Sequence, residues 1–88
     1  MTKLPVLFRT DTRGFVGAVT AILPTLPANP GMHVCYAHLG QHSECSREWL
    51  YGVTRRALPA EYADLLAELR DIYSDCQLVV RARMPARA

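Results

Sequence analysis

Two runs of β-forming residues open the chain, Leu4-Pro5-Val6-Leu7-Phe8-Arg9 and Phe15 to Leu23, separated by Thr10-Asp11-Thr12-Arg13-Gly14, whose Asp and Gly favour a turn. They predict a β-hairpin. Pro5 has no N–H to give to a ladder, so the first strand is expected either at a sheet edge or paired only beyond residue 5, with the second strand interior. Pro24, Pro27 and Pro30-Gly31 then exclude a helix and predict a surface loop. Met32 to Leu39 resumes a β pattern that stops at Gly40, and the polar stretch Gln41 to Arg47 reads as a loop or short turn. In Glu48 to Thr54, Trp49, Tyr51 and Val53 alternate with Leu50, Gly52 and Thr54, which favours a fourth strand, although Ser46 also suits the cap of a short helix.

The period changes at Pro59. Tyr62, Leu65, Leu66, Leu69, Ile72 and Tyr73 follow helical spacing, Pro59 suits the first helical position, and Glu61 places an acid in the first turn. Glu61, Asp64, Glu68, Asp71 and Asp75 fall on an arc away from that apolar stripe, so the helix is expected to lie on a sheet with an acidic back. Cys76 to Met84 returns as a strand, with Cys76, Leu78, Val80 and Ala82 on one face and Gln77, Val79, Arg81 and Arg83 on the other. The predicted fold class is α+β: a single domain over residues 1–88, built on a small, mainly antiparallel sheet of four or five strands with one helix, about 59–73, packed on one face.

Composition narrows this picture. With 88 residues, half of them apolar, the chain has room for one core and a thin stability margin, which leaves a homodimer open without requiring it. Lys3 is followed only by the short run Leu4 to Phe8, so no signal peptide is expected and a cytoplasmic location is. Phe15 to Leu23 has about half the ~20 residues of a membrane span. Cys35, Cys45 and Cys76 are odd in number and irregularly spaced, which favours thiols over a disulfide framework. The net charge of +2 conceals a division: residues 57–75 hold five acids against Arg70 alone, leaving nine basic residues against three acids elsewhere.

The densest reactive segment is His33-x-Cys35-x2-His38-x3-His42-x2-Cys45, since imidazole and thiol are preferred zinc ligands. In a regular strand His33 and Cys35 face one way and His38 the other. A zinc-binding module using the His and Cys residues of 33–45 would therefore be built from His38, His42 and Cys45, completed by Cys76 or a water. A small hydrolase or nuclease using His38 and His42 as acid and base beside Gln41 is a second alternative. Arg47, Arg55, Arg56, Arg81, Arg83 and Arg87 beside Trp49 and Tyr51 would suit phosphates and stacked bases, but the arginines are scattered and the net charge is small. Trp49, Tyr51 and the proline loop are candidate anchors for a protein partner.

Phe8-Arg9, Leu23-Pro24-Thr25-Leu26-Pro27, Cys35-Tyr36-Ala37-His38-Leu39-Gly40-Gln41-His42-Ser43 and Pro59-Ala60-Glu61-Tyr62-Ala63-Asp64-Leu65 resemble short uncharacterised proteins encoded by phages and bacterial mobile elements, over most of residues 4–82. The most specific part is Tyr-x-His-x-Gly-Gln-His, here Tyr36, His38, Gly40, Gln41 and His42, followed by a Pro-x-Glu-Tyr-x-x-Leu helix. The pattern has an aromatic where this chain has Leu23, and it does not include Cys45, which weighs against Cys45 as a zinc ligand. The resemblance implies a site of Arg9, Tyr36, His38, Gln41 and His42 where neighbouring strands end, and an accessory role. With Trp49, Arg55 and Arg56 these make the candidate binding residues. The expected function is non-enzymatic binding of a macromolecule: a host or self protein, ahead of nucleic acid, with no membrane, no metal and no cofactor.

Overall fold

The computed structural model describes residues 2–13, 19–37 and 42–84. Leu4, Val6, Phe8 and Thr10 point to one side of β1 (Thr2–Asp11), and Pro5, Leu7, Arg9 and Asp11 to the other. Val6, Leu7 and Phe8 are all buried, because both faces of the strand are covered at its centre. β1 pairs antiparallel with β2 (Val19–Leu23) through Leu7 to Thr10, and the sheet continues antiparallel through β3 (Met32–Tyr36) to β4 (His42–Ser46). On the opposite edge of β1, β5 (Thr54–Arg56) pairs antiparallel with Arg9 to Asp11, while β6 (Cys76–Val80) runs parallel to Thr2 through Val6.

The hydrogen bonds show why Pro5 is tolerated in the middle of this sheet. The carbonyls of Val6 and Phe8 accept from the Arg81 and Ala57 N–H groups, each at 2.9 Å, so even-numbered residues of β1 face the β5 and β6 edge. Pro5 therefore turns its missing donor towards the β2 side, where pairing starts only at Leu7. β1 is central rather than an edge strand, and neither expectation for Pro5 holds in full: pairing with β2 starts beyond residue 5, but β6 pairs with β1 from Thr2, so Pro5 lies inside a parallel ladder.

The α+β class and the mainly antiparallel sheet stand, with two differences in count. The sheet has six strands instead of four or five, and a helix lies on each face. The expected strand over Glu48 to Thr54 is instead α1 (Arg47–Val53), because Ser46 Oγ accepts the Trp49 N–H at 3.1 Å and Glu48 sits in the first turn. Helical spacing then turns Leu50 into the sheet and Tyr51 outwards. The polar His42 to Ser46, expected in a loop, forms the edge strand β4. Gly31, at φ 77°, turns the chain into β3, and Glu44 of β4 accepts from the Asn29 side chain at 2.9 Å and its N–H at 3.2 Å, tying the proline loop to the new strand.

α2 (Pro59–Ile72) occupies its expected span. Leu65 and Leu69 are buried among Val6, Phe8, Ala21 and Leu23, and Tyr62 stacks on Phe8 with ring centroids 4.3 Å apart. Beneath α1, Leu50 closes over Leu7, Ile22 and Cys35, flanked by Cys45, Trp49 and Met84.

Candidate binding surface

The β3–β4 register places Tyr36 directly opposite His42, on the face covered by α2. Their rings lie 5.0 Å apart, and His42 Nε2 is 2.7 Å from the Tyr73 hydroxyl. Tyr36, almost wholly buried, donates its hydroxyl to the Glu68 carboxylate. Glu68 is thus drawn out of the acidic arc that the sequence placed on the back of α2. Burial pushes the Tyr73 phenol up, which keeps it protonated and able to donate to the imidazole. Of the set implied by the resemblance, Tyr36 and His42 meet, His38 and Gln41 lie outside the described residues, and Arg9 points to the opposite face of the sheet.

The alternative zinc set is divided by this strand, with its third member, His38, outside the described residues. His42 and Cys45, three residues apart in β4, point to opposite faces, and Cys45 sits opposite His33 on the α1 side. Among the described residues no group of three His, Cys, Asp or Glu is close enough to hold a metal ion.

The basic residues separate by strand alternation. Arg55 faces α2, where Glu61 takes its guanidinium with two bonds of 2.9 and 2.7 Å and accepts the Leu58 N–H at 2.8 Å. Glu61 so closes the first turn of α2 and fastens β5 to it. Its carboxyl is held at about 2, first by Arg55 and then by the Leu58 N–H. Because the folded value lies below the unfolded one, this contribution is present above about pH 4.5 and disappears as pH falls towards about 2. Glu61→Gln should accordingly melt below wild type at neutral pH, with the gap closing across that acid window in thermal scans; a gap independent of pH would contradict the assignment.

Arg56 faces the other side, opposite Arg9. Arg9 is fixed by its bonds to Thr54 Oγ1 at 3.0 Å and the Thr54 carbonyl at 2.9 Å, and partial burial lowers its proton affinity, with Tyr51 opposing and Arg56 adding to the effect. Trp49 is committed to the fold: its indole N–H donates to Asp11 at 3.0 Å. Asp11 also holds Arg13 at 2.9 Å, and these partners keep its carboxyl well below the usual range.

β5 and β6 approach the same edge of β1 from opposite directions and part near Leu7, leaving a cleft of about 340 Å³ between them. Phe8, Ala57 and Tyr62 line it together with the exposed Leu58 and Val80 and with Arg56 and Arg81. A second hollow of about 210 Å³, beside Ala82, is lined by Arg9, Tyr51 and Arg83. Leu58, Val80 and Tyr51, exposed by 56%, 40% and 65%, are three of the four exposed large apolar residues among those described, so the uncovered apolar surface of the described residues gathers at this edge. No ion pair engages Arg56, Arg81 or Arg83 among the described residues. The sequence pointed to the arginines and Tyr51 but not to Leu58 and Val80. Leu58 precedes a helix-starting proline, and Val80 shares the apolar face of its strand, so both read as covered.

The chain matches no family model, no curated protein and no solved structure. Its geometry defines a small α+β domain with a basic, partly apolar sheet edge. No helix among the described residues is long and apolar enough to cross a membrane.

Proposed function

We propose that this domain is a non-enzymatic accessory module that binds a protein partner through the edge where β5 and β6 part from β1. The observation that carries the reading is a cleft lined by the apolar Phe8, Ala57 and Tyr62 together with Arg56 and Arg81, neither of which has an ion-pair partner among the described residues. Such a cleft suits an apolar side chain flanked by carboxylates, since desolvated apolar anchors give binding energy and charge-assisted bonds fix register. A nucleic-acid surface would offer several free aromatic faces for bases. Here Tyr62 is stacked on Phe8 and Trp49 is tied to Asp11, which leaves Tyr51, beside Arg9 and Arg83, as the one exposed Phe, Tyr or Trp ring among the described residues. The resemblance to phage and mobile-element proteins supports a host protein as the partner.

The test is fluorescence anisotropy with a labelled peptide of alternating Glu and Leu and a single-stranded oligonucleotide of equal charge, at fixed salt. The peptide should bind, and Arg56→Glu with Arg81→Glu should weaken it by about tenfold or more, about 1.4 kcal/mol. Tighter binding of the oligonucleotide, or unchanged peptide affinity in the double variant, would sink the reading.

A further inference from the structure

The fourth exposed large apolar residue among those described, Ile72, stands away from the basic edge, in acidic surroundings. It is the last residue of α2 and 43% exposed, next to Asp71, one helical turn beyond Glu68 and just ahead of Asp75. Glu61 and Glu68 are committed within the fold, to Arg55 and Tyr36. Asp64, Asp71 and Asp75 are exposed, and among the described residues no ion pair engages them. The end of α2 is thus an apolar side chain flanked by carboxylates that lack a cationic partner, and the cleft at the β5–β6 edge offers an apolar lining with Arg56 and Arg81, which lack an anionic one. On the reading of that edge as a protein-binding site, we propose that its occupant is a second copy of this chain, which enters the cleft with Ile72 and meets the two arginines with Asp71 and Asp75.

The contact must join different copies. Pro59 and Tyr62, in the first turn of α2, line the cleft, whereas Ile72 closes the other end of the helix. At about 1.5 Å per residue the 14-residue helix is roughly 20 Å long, so a chain cannot bring Ile72 into its own cleft. One surface receives and a different one enters, so each contact leaves a further cleft and a further helix end to be used unless the arrangement closes on itself. Charge sets the orientation. Residues 57–75 hold five acids against one base, and the remainder nine bases against three acids, so copies meeting through like surfaces repel and copies meeting basic edge to acidic helix attract. Both sets of charges are solvent-exposed, and added salt therefore weakens the contact. With one apolar anchor per contact the association is reversible, and another protein of the same chemistry competes for the cleft.

Sedimentation equilibrium of the full chain over a range of concentrations tests this by complementation. The mean mass of wild type should rise with concentration at low salt and return towards one chain at high salt. Ile72→Lys removes the entering side chain at an exposed helix end where a cation suits the dipole, and Arg56→Glu with Arg81→Glu reverses the charge of the cleft; each should weaken self-association by about tenfold or more. Mixed in equal amounts, and each checked for native circular dichroism, the two variants should regain a two-chain species, because the intact cleft of the first receives the intact Ile72 of the second. Wild type that stays a single chain at millimolar concentration, undiminished association of folded Ile72→Lys, or a mixture that stays monomeric would overturn the proposal. Ile72→Lys keeps a whole cleft and so separates this failure from that of the edge itself. If it binds the Glu and Leu peptide while wild type does not self-associate, only the second copy is excluded as occupant; if neither binding is seen, both readings fall.

Discussion

Leu69→Ala should lower the melting temperature by well over ten degrees and leave a domain at the edge of folding. Leu69 is fully buried, one helical turn beyond Leu65, and these two are the buried residues by which α2 is anchored to the sheet. Tyr62 and Leu66 are only partly covered and Ile72 is exposed. Truncating a buried leucine costs about 2–5 kcal/mol, the removed methyl groups and the cavity both contributing. Domains are stable by roughly 5–15 kcal/mol, with short chains at the low end, and each kcal/mol is worth about 4–8 °C at this size. Circular dichroism melts of wild type and variant make the comparison. A loss below about 5 °C would mean that the aromatic pair Phe8–Tyr62, not the leucine stripe, holds α2 down.

What the sequence disclosed and what it withheld follow from one distinction. Elements whose side chains bury on one face announce themselves by period, so α2 was legible from Tyr62 to Tyr73 and the β1–β2 pairing from its two apolar runs. Elements held by backbone and caps do not. β4 is the polar His42-Ser-Glu-Cys-Ser, paired through its main chain and tied by Glu44 to Asn29, and nothing in its hydropathy separates it from a loop. In α1 only Leu50 is buried, and the alternation of Trp49, Tyr51 and Val53 imitated a strand until Ser46 capped the turn. The surface behaves the same way. Arg55 and Arg56 are adjacent and chemically identical, yet strand alternation gives one to Glu61 and leaves the other free beside the cleft. Likewise three-residue spacing in β4 separated His42 from Cys45, a separation that could be foreseen only once that segment was known to be a strand.

The same weakness of α1 makes its release the second large effect to expect. Leu50→Ala should let the helix open locally while α2 and the central strands stay folded, because the seven-residue α1 is too short to be stable on its own and is anchored chiefly by that side chain. Trp49 contributes its bond to Asp11, at a half-buried position, and cannot replace the lost contacts with Leu7, Ile22 and Cys35. The readout is the Cys35 thiol, which Leu50 helps to cover. With Cys45 and Cys76 changed to Ser, Cys35 is the sole sulfhydryl, and its reaction with an aromatic disulfide reports opening of this layer. A loss of about 3 kcal/mol from the opening free energy raises the labelling rate by about a hundredfold. The far-UV signal should remain largely native under the same conditions, since α2 supplies most of the helix. If labelling accelerates only in proportion to global unfolding, α1 is not an independent layer, and the two faces of the sheet stand or fall together.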